Sequence, residues 1–486
     1  MLRRGHPPLL GRTFIAAATA QASSNSCRVK EAPPKIRYHG TTCFGVRCVL
    51  AVVLAASSFA HAQAPVPSPA PSLPVETTGA AKKPFLSTTW NDAFVLQSDD
   101  GAFRLHAGGI VQADGRYFPG NISPGPVDQF AIRSARLELE GTVWRHFDFR
   151  VSVDFAGGRI QLQDGYTEVR FSPALRLRAG KFKVPFGLER LQSEGRYAFL
   201  ERAFPTQLSP NRDIGLMIFG EVVDGAVQYA AGVFNGVADN STLDTETDTD
   251  KEEAVRLFFH PLRPTGIRAL RHLGVGGAFT FARLTGSADN PSLPALQTDG
   301  QTQFFRYVTG TPATNANTSI ADGRRLRATA QGYFYLGRLG LFGEYVWSSE
   351  EVRRDLDHAA LTASAWQAYA SFLLTDDEAS YAGVRPRRPF DLRAGSRAAG
   401  AWEILFRYSG IALANTIFDA AFADPTRSAG AATSLTGGVS WYPNANIKLL
   451  INYVHTSFTR GAEDAAHAVQ DRASEDALMG RLQLTL

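Results

Sequence analysis

The stretch FDFRVSVDF, residues 147–155, decides the fold class. Its Phe and Val side chains alternate with Asp, Arg and Ser. Because successive side chains of a β-strand point to opposite faces, this stretch has one apolar and one polar face. The same alternation returns further along the chain, for example over residues 326–334 and 447–453. It predicts an all-β protein whose strands are apolar on one side and mostly polar on the other.

Sixteen such segments can be delimited, and several are about ten residues long, the length of a tilted membrane-spanning strand. Short turns such as 145–146 and 443–444 are separated by long connections such as 184–214, 284–323 and 349–362. Tight turns on one rim and long loops on the other predict a sixteen-stranded antiparallel transmembrane β-barrel. The predicted strands cover residues 103–117, 130–142, 147–156, 161–171, 174–183, 215–223, 226–234, 254–260, 272–283, 324–336, 339–348, 363–374, 400–410, 432–442, 446–457 and 477–486.

A soluble all-β protein is the alternative, since an apolar strand face can also be buried within a domain. It would need a second sheet or helices as cover, and no amphipathic helix of sufficient length is evident. Aromatic residues near segment ends, such as Trp144 and Trp347, favour the barrel, where they form interfacial girdles. The connection 375–399 is long on the short-turn rim. It therefore either folds into the lumen or indicates a different strand count.

The N-terminal part of the chain carries signals for export. Residues 46–62, VRCVLAVVLAASSFAHA, combine a basic residue, a short apolar run and a small-residue cleavage site. They predict a signal peptide with an extended N-terminal region over residues 1–62, with a membrane anchor as the alternative. All three Cys residues lie in this leader, which leaves an exported body without thiols. We expect a Pro-rich linker over residues 63–89 and the β-barrel over residues 90–486.

Charge and motifs narrow the functional class. The chain has 50 basic and 46 acidic residues, but its first 62 residues hold eight of the former and one of the latter. The body is therefore slightly acidic, and its charge gives no support to nucleic-acid binding. The sequence lacks G-x-S-x-G, P-loop and HExxH motifs, so we expect no enzyme activity, cofactor or metal site. A barrel hydrolase with a membrane-embedded Ser and His remains an alternative.

Three stretches resemble the phosphate-selective porins O and P: GKFKVPFGLERLQSEGRYAFLERAF from residue 180, YAGVRPRRPFDLRAGSRAAGAWEILFRYS from residue 381, and SWYPNANIKLLINYVHTSF from residue 440. The similarity extends from about residue 90 to the C-terminus. The resemblance implies a homotrimer of sixteen-stranded barrels in a Gram-negative outer membrane, in contact with lipid and lipopolysaccharide. It also implies passage of small anions, either phosphate or other oxyanions or chloride. Loops folded inward would narrow the pore, among them the third extracellular loop at 184–214.

The resemblance also assigns a central anion site. The family uses a basic residue just after GLE, a Ser pair shortly beyond, and an Arg in a Glu-Arg step. The matching residues are Arg190, Ser193 with Glu194, and Arg202. Glu194 stands where the phosphate-specific members have a second Ser, and its carboxylate would repel a phosphate dianion. We therefore expect an anion channel with weaker phosphate selectivity, and a general, weakly selective porin is the alternative.

On an amphipathic barrel the polar strand face lines the pore. Arginine stays charged and offers forked donors to oxyanions, so rows of it could pass an anion from site to site. Acidic residues share this face, and a transverse field that selects no particular ion is the alternative reading. Alternation predicts the pore-lining arginines Arg136, Arg150, Arg176, Arg178, Arg325, Arg327, Arg407 and Arg481.

Two connections are strongly charged. Residues 235–253 carry seven acidic residues against Lys251 and lack the pattern of an EF-hand. This segment reads as a solvated outer loop, with weak binding of divalent cations at the lipopolysaccharide surface as the functional alternative. Residues 375–399 carry five arginines and four acidic residues, Asp391 among them. They fit either a solvated turn or part of the pore lining.

Overall fold

A computed structural model describes residues 86–90, 94–120, 126–242, 249–267, 271–393 and 398–486. The predicted leader and most of the predicted linker lie outside these residues. Within the described ranges, every helix is too short or too polar to cross a membrane.

Sixteen antiparallel strands form a closed barrel, in which each strand pairs with the next and the last pairs with the first. They are β1 (Arg104–Tyr117), β2 (Gln129–Val143), β3 (Phe147–Asp154), β4 (Gln161–Ser172), β5 (Leu175–Lys183), β6 (Arg212–Val222), β7 (Val227–Phe234), β8 (Glu252–Phe259), β9 (Leu273–Thr285), β10 (Ile320–Leu336), β11 (Leu339–Arg354), β12 (Asp357–Leu373), β13 (Ala401–Leu413), β14 (Ala429–Tyr442), β15 (Ile447–Glu463) and β16 (Glu475–Thr485). The predicted fold class and strand number are confirmed.

The barrel has apolar side chains on its outer surface and polar side chains inside, which is the reverse of the arrangement in a soluble domain. On β13 the side chain of Phe406 is 54% exposed, whereas its neighbour Arg407 is 1% exposed. On β3 the outward Phe147 and Val151 are exposed, and the inward Ser152 is buried. An outer surface of aromatic and aliphatic side chains is stable against lipid and would be unfavourable in water. The alternation in the sequence therefore reflects a lipid-facing exterior and a polar interior.

Short elements supplement the barrel. Strands Leu86–Trp90 and Phe94–Ser98 form a hairpin, and the second of them pairs with β1. The connection from β9 to β10 contains a small hairpin of Leu296–Gln297 with Gln303–Phe305. The remaining short elements are the strand Val469–Asp471, the helices α1 (Leu188–Leu191) and α2 (Thr416–Asp419), and the 3-10 turns Ala156–Gly158, Phe204–Leu208 and Arg263–Thr265.

One predicted loop is a pair of strands. The sequence predicts a long connection over residues 349–362, yet β11 and β12 continue through them and Arg354 pairs with Asp357. The sequence over 349–354 is mostly polar, although Glu350 and Val352 on the inner face are buried. The alternation of polarity therefore ends before the strands do, whereas the backbone hydrogen bonding continues.

Loops fill one side of the barrel interior. Long connections fold inward and form an apolar cluster against the inner faces of β11 to β15. The loop residues of this cluster include Phe186, Phe204, Leu208, Phe304, Phe305, Ile417, Phe418 and Phe422. Because this side is packed, the space that remains for water and solutes lies toward the other strands.

Candidate functional site

The connection from β5 to β6, residues 184–211, crosses the barrel interior, and we call it the inward loop. Its backbone amides at Leu188 and Glu189 donate to the carboxylate of Glu344 on β11. Its Leu200 amide donates to Asn452 Oδ1 on β15 at 2.7 Å, and Lys448 Nζ donates to the Tyr197 carbonyl at 2.9 Å. Since it begins and ends on β5 and β6, these contacts carry it to a distant part of the wall.

Arg190 lies in the interior of the inward loop. Its Nη2 donates to the Thr206 carbonyl and to Asn240 Oδ1, the latter at 2.6 Å. Burial and the nearby Arg202 guanidinium lower the pKa of Arg190 to about 9, so it remains charged at neutral pH. The side chain is buried by its own loop and by the connection that carries Asn240.

Arg202 and Glu194 are close together. Their side chains approach to 3.7 Å, and Glu194 also lies 3.5 Å from Arg136 Nη2 on β2. Burial alone would raise the pKa of Glu194, but Arg202 and Arg136 prevail and hold it well below its usual range. Ser193 is exposed beside this group. The structure thus brings Ser193, Glu194 and Arg202 together, while the Arg190 guanidinium faces Thr206 and Asn240.

A cavity of about 480 Å³ lies between the inward loop and the inner faces of β2 to β8, and we call it the charged cavity. Ser193 and Glu194 belong to its wall. Its acidic wall residues are Glu138, Asp164, Glu194 and Glu221. Its basic wall residues are Arg136, Arg150, Arg176, Arg178, Lys183, Arg212 and Arg256.

Most of these cations are paired with carboxylates, which reduces the charge they present to a solute. The shortest pairs are Arg136 with Asp154 (3.1 Å), Arg150 with Glu138 (2.7 Å), Arg176 with Glu168 (3.7 Å), Arg178 with Glu168 (2.7 Å) and Arg212 with Asp164 (2.9 Å).

Two cations of the wall differ from the rest. Lys183 Nζ donates to the Gln192 carbonyl at 2.7 Å, and Arg256 Nε donates to Gln331 Oε1 at 3.3 Å. Neither has a carboxylate within 4.0 Å among the residues that the structure describes. Arg256, whose guanidinium keeps its charge, is therefore the least compensated cation of the charged cavity.

Of the arginines predicted to line the pore, Arg136, Arg150, Arg176 and Arg178 border the charged cavity. Arg327 and Arg407 are instead covered by loops. Arg327 forms ion pairs with Glu252 and Asp239, and Arg407 lies 2.7 Å from Asp299 and 4.3 Å from the Phe199 ring centroid. Arg325 likewise pairs with Glu252, and Arg481 with Asp114. In this structure these side chains hold loops or strands in place.

Three basic wall residues were absent from the prediction. Arg256 follows the alternation of β8, where Val255 and Leu257 are exposed, so its inward position could have been read from the sequence. Lys183 is the last residue of β5 and Arg212 is the first residue of β6, on either side of the inward loop. The alternation of apolar and polar residues stops at these positions, so it could not predict whether their side chains point inward.

Tyr381, within the segment 375–399, reaches into the lumen and contacts the inward loop. The Tyr381 hydroxyl donates to the Leu188 carbonyl at 2.7 Å, and Gln192 Nε2 donates to the Tyr381 carbonyl at 2.7 Å. The Tyr381 ring also stacks on Tyr333 of β10, with 4.9 Å between ring centroids. Its unusual length therefore reflects contact with the inward loop, and the strand count of sixteen holds.

A closed barrel with a lipid-facing exterior, an inward loop and a charged internal cavity defines a porin. The chain matches the family described as phosphate-selective porin O and P over residues 106–486, and it belongs to that family. The resemblance and the outer-membrane channel that it implied are thereby confirmed.

The chain is also similar to individual proteins. The chain is 24% identical over 384 residues to Porin O of Pseudomonas aeruginosa. The matched region covers 74% of this chain and 84% of that protein. Among solved structures, the outer membrane channel DcaP of Acinetobacter baumannii matches with a TM-score of 0.50 at 9% identity, over 80% of this chain and 99% of that one. The anion-selective porin from Comamonas acidovorans matches with a TM-score of 0.48 at 12% identity, over 79% and 100%. These relatives are channels rather than enzymes.

Proposed function

We propose that the protein is a water-filled pore that favours small anions, and that ions pass through the charged cavity. The observation that carries this proposal is the excess of basic over acidic side chains in the cavity wall, seven against four. Arg256 contributes the most, because it lacks a carboxylate partner among the described residues and a guanidinium keeps its charge. A positive wall in a confined, low-dielectric passage raises the local concentration of anions.

Phosphate is a permeant ion of the proposed pore, without strict selectivity. The Glu194 carboxylate borders the cavity and stays ionised. At about 4 Å and an intermediate effective dielectric, each unit of like charge costs on the order of 4 kcal/mol before screening by Arg136 and Arg202. A phosphate dianion bears this cost twice and chloride once. A general, weakly selective porin is the second candidate, favoured by the carboxylates that compensate most of the arginines.

Reversal potential in a KCl gradient across a planar bilayer tests the proposal. We expect a potential on the anion-selective side for the wild-type pore. The variant Arg256→Gln should shift it toward zero, because the least compensated guanidinium charge is lost. Arg427→Gln is the matched control, since Arg427 is exposed and lies outside the cavity wall. A wild-type reversal potential of zero would favour the general porin. A reversal potential of the sign that indicates cation selectivity would contradict the proposal.

We further propose that the mature protein is a homotrimer in contact with outer-membrane lipid and lipopolysaccharide, produced by cleavage before Gln63. The family membership supports assembly, and residues 46–62 support export. Native mass spectrometry of the detergent-extracted protein and N-terminal sequencing of the same sample test the two statements. A monomeric mass, or an N-terminus upstream of the leader's cleavage site, would contradict them.

A further inference from the structure

Toward the short-turn rim, the wall of the charged cavity becomes aromatic. The Arg178 guanidinium carbon lies 4.1 Å from the ring centroid of Tyr166, 4.9 Å from that of Phe219 and 5.4 Å from that of Phe182. All four residues border the cavity, and we call them the arginine–aromatic level. Lys183 stands further along β5, so this level lies between Lys183 and the β4–β5 turn.

This level suits an inorganic dianion poorly. Arg178 already donates from Nε and Nη2 to Glu168, at 3.1 and 2.7 Å, so much of its hydrogen-bonding capacity is used. The rings around it present carbon surfaces, and a phosphate that lost its hydration there would gain few replacement donors. The four carboxylates of the cavity wall also oppose a dianion more strongly than a monoanion.

A monovalent anion with an aromatic body fits the same surfaces. A single ring can pack against Phe219 and Tyr166, both partly exposed in the cavity wall, through offset or edge contacts. Its carboxylate can pair with Arg256, which lacks a carboxylate partner among the described residues. The volume of about 480 Å³ lies within the range of ordinary small-molecule sites.

We propose that the arginine–aromatic level binds aromatic monocarboxylates as they pass through the pore. This inference rests on the proposed function, because it assigns a substrate class to the same cavity. Benzoate is the probe, and acetate is the matched anion that carries the same carboxylate without a ring.

The test measures how benzoate, acetate and phosphate block chloride current through the full-length, detergent-purified protein in a planar bilayer. We expect half-block by benzoate at a concentration about tenfold below that for acetate, the gain that ring contacts of this kind provide. Benzoate block no stronger than acetate block would overturn the inference. The reversal potential is recorded on the same channels. A lack of anion preference would contradict the proposed function, and this measurement detects it independently of the benzoate result.

Variants locate the effect. Phe219→Leu keeps an apolar side chain of similar volume and should weaken benzoate block about fivefold while leaving acetate block unchanged. Phe279→Leu on the outer face of β9 is the matched control and should leave both unchanged. If Phe219→Leu does not assemble, Tyr166→Leu replaces it with the same expectation. If benzoate blocked these variants as strongly as it blocks the wild type, the assignment to this level would be overturned.

Discussion

At the scale of single residues, Glu194 lowers the positive charge of the predicted anion site. It faces Arg136 and Arg202 at 3.5 and 3.7 Å, so it compensates part of their charge. Replacement by Ser removes one negative charge and leaves both guanidinium groups less compensated. We predict that Glu194→Ser lowers the phosphate concentration for half-block of chloride current by about tenfold. Single-channel titration with phosphate measures this.

The pH dependence of that effect follows from the same contacts. Because Arg202 and Arg136 hold the pKa of Glu194 well below its usual range, the wild-type carboxylate stays charged between pH 7 and 5. Acidification over this range should therefore not reproduce the variant's chloride conductance. Glu463→Ser, on the exposed end of β15, is the control and should match the wild type. A wild-type pore that acquires the variant's conductance at pH 5 would contradict this account of Glu194.

Arg190 and Arg202 should respond differently to the same substitution. Both belong to the predicted anion site, and their surroundings separate two roles. Arg190 is buried and bonded to Thr206 and Asn240, so Arg190→Ala should destabilise the fold by about 2 kcal/mol and lower its heat-denaturation midpoint. Arg202 is partly exposed beside Glu194, so Arg202→Ala should move the reversal potential away from anions. Equal shifts of potential for both variants would show that Arg190 also acts directly on ions.

At the scale of elements, Glu201 fixes the inward loop to the wall. It lies 2.8 Å from Arg116 on β1, 2.9 Å from Arg133 on β2 and 3.5 Å from Arg481 on β16. Burial opposes its charged form, but Arg133 and Arg481 prevail and lower its pKa to about 2. A carboxyl with a depressed pKa stabilises the fold above its unfolded value, near 4.5, and loses that contribution as the pH falls toward 2.

Glu201→Gln should therefore lower the heat-denaturation midpoint at pH 7, and its difference from the wild type should shrink between pH 4.5 and 2. Removing one charge leaves buried guanidinium groups with fewer partners, which costs about 3 kcal/mol. Midpoints recorded by circular dichroism across this range, with Glu463→Gln as the control, measure the difference. A gap of constant size down to pH 2 would show that the variant acts through packing instead.

The positions of the strands could be predicted from the sequence because lipid imposes a period of two on the outer face. That is why Phe147 and Val151 revealed β3. The ends of β11 and β12 could not be predicted, because charged residues such as Glu350 and Arg354 interrupt the alternation there while the strands continue to pair. Alternation also placed Arg150 and Arg327 on the same inner face. Alternation could not show that Arg150 borders the charged cavity whereas Arg327 is covered by loops, since that depends on how distant loops pack.

At the scale of the whole molecule, the proposed passage lies to one side of the barrel. The apolar loop cluster occupies the inner faces of β11 to β15, whereas the charged cavity borders β2 to β8. Gln228 on β7 lines the cavity, and Ser434 on β14 is fully buried and bonded to Thr456. Both side chains point inward, so alternation alone would make them equivalent.

Substituted cysteines test this asymmetry, because residues 63–486 contain no Cys and a single introduced thiol reports on its own position. We predict that an anionic methanethiosulfonate reagent modifies Gln228→Cys within minutes and reduces its conductance. Ser434→Cys should stay unmodified until the protein is denatured, because packed side chains exclude the reagent. Mass spectrometry counts the modified thiols. Equal modification of both would mean that water reaches the β14 side, and the passage would then have to run through the centre of the barrel.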